Sequence, residues 1–249
     1  MRCDPNYQPA PDLLKGRTIL VTGAGDGLGK AAALAFARHG ATLILLGRTI
    51  RKLENTYDEI LEAGGPEPAI YPMNLEGAAP KDYEDLADTL TREFGSLHGL
   101  VHNAAELGAL TPIDHARVEE WYKVLQVNLN APFLLTHACL PLLREAGDAS
   151  VVFVSDVVGR RAKAYWGAYA VSKFGLEGLM QVLAEETENS GAIRSNSYDP
   201  GVLNTQLRRN AHPGEVYAEN PAAESVVPGL LYLIGPDSKG VTGQPFEWR

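Results

Sequence analysis

Cysteine is scarce: the 249 residues contain two, Cys3 and Cys139, and neither belongs to a CxxC pair. That excludes a disulfide framework and fits a reducing compartment. Positive charge is also short, with 22 Lys and Arg against 31 Asp and Glu and a formal net charge of −9. A general nucleic-acid binder needs a basic face to displace phosphate counterions, so nucleic acid is not an expected partner. The densest basic cluster, Arg160, Arg161 and Lys163, reads as a solvated loop. The six histidines are read as forming no metal site. No apolar run approaches the roughly 18–20 residues that cross a bilayer. The opening MRCDPNYQPAPDLL lacks the apolar centre of a signal peptide and reads as a Pro-rich arm. A cytoplasmic protein without membrane partners is the expectation.

What is present is a 45% hydrophobic composition, enough for a sizeable core. Residues 1–15 are predicted as an N-terminal arm and 16–249 as one domain. Strands are predicted at Thr18–Thr22, Thr42–Leu46, Ala69–Pro72, Leu100–His102, Ser150–Ser155, Ile193–Tyr198 and Gln244–Glu247. Helices are predicted between them, the longest from Arg117 to Glu145 with Pro132 inside it and another from about Tyr165 to Asn189. Continuous apolar strands alternating with helices predict an α/β, doubly wound Rossmann fold: a mostly parallel seven-stranded sheet with helices on both faces.

The first strand runs into Thr22-Gly23-Ala24-Gly25-Asp26-Gly27-Leu28-Gly29. Gly23 suits a tight turn, Gly27 a close approach of pyrophosphate, and Gly29 helix–strand packing. The following helix offers free N–H groups and its positive dipole end to phosphates. An acid that would grip both adenosine ribose hydroxyls is missing after the second strand, which ends Leu46-Gly47-Arg48. Arg48 is instead a cation for a 2′-phosphate, which points to NADP, with NAD as the alternative. Asp26, a carboxylate in the phosphate turn, argues mildly the other way.

Of ten tyrosines only Tyr169 has a lysine four residues on, Lys173, which puts both on one helix face. The strand SVVFVS and the loop through Gly159 bring this helix to the carboxyl edge of the sheet, where open α/β folds bind ligands. With these residues the chain resembles the short-chain dehydrogenase/reductases from about Gly16 to Pro245, and within them a bacterial NADP-type oxidoreductase branch. The matching segments are Thr22–Gly29, Asn103-Ala104, Asn128, Ser155 to Gly159, Tyr169-x3-Lys173, and Pro200-Gly201-x3-Thr205.

The resemblance implies that Tyr169 protonates a carbonyl oxygen while a nicotinamide delivers hydride to its carbon. It implies that Lys173 lowers the tyrosine pKa from about 10 and holds the nicotinamide ribose. Asn128 would fix a proton-relay water. Pro200, Gly201, Val202 and Thr205 would seat the carboxamide. Gly23, Gly25, Asp26, Gly27, Leu28 and Gly29 would meet the pyrophosphate, and Asn74, Leu75, Asn103, Ala104 and Ala105 would line the adenosine side. Relatives associate through the helices holding Asn128 and Tyr169, which implies a homodimer or homotetramer.

One position breaks the family pattern. A serine usually stands thirteen residues before the tyrosine and donates to the substrate oxygen. Counting back from Tyr169 reaches Asp156, with Ser155 one residue too early, and a one-residue step along a strand turns a side chain to the other face. Three readings stand open. Asp156 is ionised and repels a developing alkoxide; burial keeps Asp156 protonated so that it donates; or the loop absorbs a residue and Ser155 donates. Losing one such donor costs about 10²–10³ in rate. Asn74, Ala105 and Asp199 also replace an aspartate, a glycine and an asparagine that are usual in the family.

Tyr165 and Trp166 are candidates to line a pocket for an apolar or aromatic carbonyl compound, and Arg208, Arg209 and His212 lie in the segment expected to cover it. Two functions follow. The first is an NADP(H)-dependent carbonyl reductase or alcohol dehydrogenase acting on a small molecule. The second is an NADP-binding sensor or assembly protein that has lost hydride transfer at Asp156.

Overall fold

Apolar residues in strand runs alternate with helical stretches along the chain, and the computed structural model, which describes residues 1–248, winds this pattern into one sheet. The strands are β1 (Thr18–Thr22), β2 (Thr42–Gly47), β3 (Ala69–Pro72), β4 (Gly99–His102), β5 (Ala149–Val154), β6 (Ile193–Asp199) and β7 (Pro245–Glu247). Their order is β3-β2-β1-β4-β5-β6-β7. Every pairing of these strands is parallel, so the seven-stranded sheet is as predicted and parallel throughout. Each connection contains helix and returns the chain to the same edge, which forces parallel strands.

The helices are α1 (Gly27–Arg38), α2 (Ile50–Glu62), α3 (Pro80–Phe94), α4 (Val118–Leu125), α5 (Ala131–Glu145), α6 (Gly167–Thr187), α7 (Gln206–Ala211) and α8 (Val227–Ile234). They cover both faces. One core joins Ile19, Val21, Leu43 and Leu45 to Phe36 of α1, Leu53 of α2 and Leu230 of α8. The other joins Leu20, Ile44, Leu46 and Leu100 to Leu86 of α3, Leu135 of α5 and Met180 of α6. Neighbouring strand residues thus alternate between two cores, as a pleat with both faces covered requires.

The expected helix over Arg117–Glu145 is helical throughout but not uniform. A π-turn, Gln126–Asn130, separates α4 from α5, and the Ala131 N–H donates to the Gln126 carbonyl five residues back. Pro132 supplies the reason: it has no N–H for the Asn128 carbonyl four residues earlier, so the α-helical ladder cannot run through this point. The last helix, which the sequence predicts over Pro221–Ile234, is likewise shorter, since Ala223–Val226 is a 3₁₀ turn ahead of α8.

The predicted arm lies against the sheet. Arg2 bridges Glu247, the Cys3 N–H donates to the Glu247 carbonyl at 3.0 Å, and Leu14 is fully buried. Arg249, the end of the predicted domain, lies outside the described residues. The strand order reverses direction between β1 and β4. That is the switch point where such sheets open a crevice at their carboxyl edge.

Candidate active site at the carboxyl edge

The glycine turn leaves the carboxyl end of β1 and opens α1. Asp26 is the N-cap of α1; its Oδ1 accepts from the Gly27 N–H at 2.8 Å. Its Oδ2 accepts from Lys52 Nζ at 2.5 Å, and this lysine holds the Asp26 carboxyl below its ordinary pKa. The negative charge that seemed to oppose phosphate is therefore partnered. Gly25 is explained by the same contact, because a Cβ there would stand 2.8 Å from the Lys52 Cβ. A Cβ on Gly29 would meet the Gly23 carbonyl at 2.3 Å, so α1 can pack against the turn only with glycine at that point. Gly27 takes φ +50, and its hydrogen faces the Thr205 methyl, 3.4 Å from where a Cβ would be. Leu28 is buried.

Asn103 and Ala104 lock this turn from β4. Both of their N–H groups donate to Thr22 Oγ1, at 2.9 and 3.0 Å, and Asn103 Nδ2 donates to the Thr22 carbonyl at 3.0 Å. Ala105 packs against the apolar cluster that contains Tyr169. Arg48 is exposed just past β2, with Nη1 3.7 Å from Glu106 Oε2. Asn74 is exposed and Leu75 buried beyond β3. The Glu76 N–H donates to Asn74 Oδ1 at 3.3 Å.

Tyr169 and Lys173 lie on α6, both buried. Lys173 Nζ donates to the Val154 carbonyl at 2.7 Å and stands 5.6 Å from the centre of the Tyr169 ring. Tyr169 Oη donates to Asp156 Oδ2 at 3.3 Å. The other Asp156 oxygen accepts from the Val158 N–H at 3.0 Å. Ser155 sits where β5 ends; its N–H continues the ladder to the Tyr198 carbonyl, and its Oγ is buried without a hydrogen bond. The structure thus brings Asp156, not Ser155, to the tyrosine hydroxyl.

Charge and burial tune this pair. Burial drives the Tyr169 pKa well above its ordinary value, and the Asp156 charge and hydrogen bond and the Asp199 charge push the same way. The net shift is upward, opposite to the lowering that the family resemblance implies. Burial lowers Lys173 itself to about 8, against the opposing pull of Asp156, Glu177 and Asp199. Asp199 Oδ1 accepts from the Gly201 N–H at 2.9 Å, which shapes the turn through Pro200. Val202 is exposed, and Thr205 caps α7 with Oγ1 accepting from the Arg208 N–H.

Asn128 lies in the π-turn, buried. Its Oδ1 accepts from the Glu106 N–H at 2.7 Å, and its Nδ2 donates to the Glu106 carbonyl at 2.9 Å and to Ser172 Oγ at 3.0 Å. It ties α6 to the loop after β4. Trp166 is buried between Tyr169 and His212, with ring centres 5.7 Å from each, while Tyr165 is exposed at φ 73. Arg208 and His212 both pair with Glu215. Arg160 leaves the basic loop to bind Glu177, Glu247 and Ser197. Lys52 and Ser172 escaped sequence reasoning, and Arg160 was placed in a solvated loop, because their partners are 26, 44 and 17 residues away, beyond any local spacing.

His98 and His102 stand at opposite ends of the strand region of β4, and His102 Nε2 pairs with Thr136 Oγ1 at 2.8 Å. Among the described residues no group of His, Cys, Asp and Glu could hold a metal. No helix there is long and apolar enough to cross a membrane.

The chain as a whole has known counterparts. The E. coli oxidoreductase YciK, itself uncharacterized, is 42% identical over 242 residues, covering 97% of this chain and 95% of its own. Levodione reductase of Leifsonia aquatica is 32% identical over 230 residues, 90% of this chain and 85% of its own. A Pseudomonas syringae structure described as a short chain dehydrogenase superposes with a TM-score of 0.96 at 49% identity, over 99% of both chains. A Shigella flexneri structure so described, complexed with NADP, gives 0.93 at 41% identity over 96% of this chain and 99% of that one. The short chain dehydrogenase pattern itself matches residues 17–216. With the glycine turn, the Tyr169–Lys173 pair and the wholly parallel sheet in their places, the chain belongs to the short chain dehydrogenase family.

Proposed function

We propose that this chain is an NADP(H)-dependent oxidoreductase that interconverts a carbonyl and an alcohol on a small molecule. The observation carrying the reading is the burial of Tyr169 beside Lys173 at the carboxyl edge, across the crevice from a glycine turn. That turn fits a dinucleotide. Of the N–H groups that open α1, the Asp26 side chain takes only that of Gly27, and the first N–H groups of a helix have no intrahelical acceptor, so the start of α1 suits pyrophosphate. Gly23, Gly25, Gly27, Leu28 and Gly29 would frame it. Arg48 would meet the 2′-phosphate, with Asn74, Leu75, Asn103, Ala104 and Ala105 beside the adenosine. Pro200, Gly201, Val202 and Thr205 would seat the nicotinamide end. The NADP in the Shigella relative supports NADP over NAD.

Bound there, the nicotinamide supplies or accepts the hydride. Tyr169 Oη gives the carbonyl oxygen its proton, and its raised pKa keeps that proton available. Lys173 holds positive charge beside the phenol and lowers the cost of losing the proton. Asn128 fixes the loop at Glu106 and, through Ser172, the helix that presents Tyr169 and Lys173. Ser155 Oγ makes no hydrogen bond to Tyr169, whereas Asp156 does, so Asp156 is the group that a substrate would meet beside the phenol.

A second reading, an NADP-binding sensor or assembly protein with impaired catalysis, draws on the same Asp156. An ionised carboxylate 3.3 Å from Tyr169 Oη opposes charge building on a substrate oxygen. NADPH oxidation against diketones, quinones and aldehydes, with wild type beside Asp156→Ser, separates the two. Turnover by wild type supports the enzyme. Turnover by the serine variant alone, with NADPH bound by both, supports the sensor.

The reading includes a cytoplasmic homodimer or homotetramer. Phe133 on α5 and Phe174 on α6 are 51% and 44% exposed, apolar surface that assembly through these helices would cover. Sedimentation that gives a monomer at micromolar concentration would remove this part.

A further inference from the structure

Asp156 has a job that its capping role does not explain. It caps the 3₁₀ turn Val157–Gly159 through the Val158 N–H, but serine caps equally well. What serine lacks is a second acceptor oxygen, and that oxygen points to Tyr169 Oη. Both Asp156 oxygens are hydrogen-bond acceptors in the structure, and each has a lone pair to spare. A plain ketone or aldehyde would set its own lone pairs against them. A substrate group that donates would be held.

The surroundings select the donor. Trp166, Leu207 and Ala211 pack with Tyr169 in one apolar cluster, and the His212 ring lies tilted against Trp166 with ring centres 5.7 Å apart. The charged groups facing His212 are Arg208, Lys163, Glu215 and Asp156, with Lys173 behind the phenol. The Glu215 carboxylate is already bonded to Arg208. A neutral hydroxyl donates to Asp156 without disturbing the balance of Lys163, Arg208 and Lys173 against the carboxylates around them. The two oxygens of a carbonyl and an adjacent hydroxyl lie about a hydrogen-bond length apart, comparable to the 3.3 Å between Tyr169 Oη and Asp156 Oδ2.

We infer that the substrate is an α-hydroxy ketone, or in reverse a vicinal diol, whose hydroxyl donates to Asp156 while its carbonyl oxygen takes the Tyr169 proton. This rests on the carbonyl-reductase reading. The ketone carbon gains the hydride of a dihydronicotinamide, its oxygen gains the phenol proton, and the dihydronicotinamide is oxidised. The substrate hydroxyl keeps its proton and leaves unchanged. The substrate thus brings the hydrogen-bond donor that the chain lacks at this position, and Asp156 becomes a specificity-determining residue.

The test has two arms. In the first, NADPH-dependent reduction of 2-hydroxyacetophenone and acetophenone is compared for wild type, Asp156→Ser and Asp156→Asn. Wild type is expected to prefer the hydroxy ketone by about tenfold or more in kcat/KM, the worth of one charge-assisted hydrogen bond. In the serine variant the preference should collapse, with acetophenone turnover rising. Equal rates for the two ketones in wild type, or a preference that survives Asp156→Ser, overturns the inference. In the second arm, calorimetry measures 1-phenylethane-1,2-diol against 1-phenylethanol on the NADPH-saturated protein. Tighter diol binding that Asp156→Ser abolishes supports the inference, and equal binding overturns it. Absence of turnover in every variant counts against the reductase reading alone, because the calorimetric comparison still decides what Asp156 recognises.

Discussion

The two edges of the sheet both bury charge, and they treat it in opposite ways. At the amino edge, Asp148 ahead of β5 binds Arg194 of β6 and Arg17 ahead of β1, and Arg17 also donates to the Asp148 carbonyl at 2.7 Å. Opposite charges close on each other. At the carboxyl edge, Lys173 bonds to a neutral carbonyl, and Asp156 and Asp199 both act on a buried phenol. The first arrangement holds strands together. The second sets carboxylates and an ammonium around a group that carries a proton, and charge in a low dielectric is what shifts proton affinities and acts on a substrate.

The largest effect that would sharpen this contrast is on the carboxyl side. Tyr169→Phe should lower kcat by about 10³ while NADPH still binds, the size typical of a lost general acid. A variant within tenfold of wild type would remove Tyr169 from the chemistry. Asp148→Ala should do the reverse: stability falls by about 3 kcal/mol, because Arg194 is left buried without its partner, while folded protein retains turnover. Chemical denaturation measures the first and specific activity the second. Unchanged stability would break the comparison on the amino side.

A smaller effect is expected at the adenosine end. Arg48→Ala should weaken NADPH binding by about tenfold and leave NADH binding unchanged, since only NADPH carries the 2′-phosphate. Equal loss for both nucleotides would assign Arg48 another role. The smallest effect is a shift in pH dependence. Reduction needs Tyr169 protonated and Lys173 charged, so kcat/KM should fall as pH rises through about 8, where burial places Lys173. Asp156 is one of the charges that keep Lys173 protonated. Asp156→Ser should therefore move this limb to lower pH, and a limb that stays or moves up would contradict the electrostatics.

Much of the scaffold was legible because its signals are local. Thr18–Thr22 and Gly23–Gly29 read as strand, turn and helix from adjacent residues alone, and the structure has them so. Tyr169 and Lys173 were legible because four residues on a helix are one turn. Boundaries were less so: the strand expected to reach Ser155 ends at Val154, where the chain turns out to place Asp156 as a cap. The helix expected from Arg117 contained Pro132, yet nothing in the sequence indicated that a π-turn would absorb it around Asn128.

By itself the sequence determined a covered parallel sheet, the glycine turn on α1 and the Tyr169–Lys173 pair, because each depends on local periodicity or spacing, and the family resemblance singled out Asp156. Tertiary structure alone decided which of Ser155 and Asp156 faces the phenol, that Lys52 offsets Asp26, and that burial raises Tyr169 and lowers Lys173. Those outcomes depend on distances between segments far apart in the chain and on how much water the packing removes, and neither quantity is written in any local run of residues.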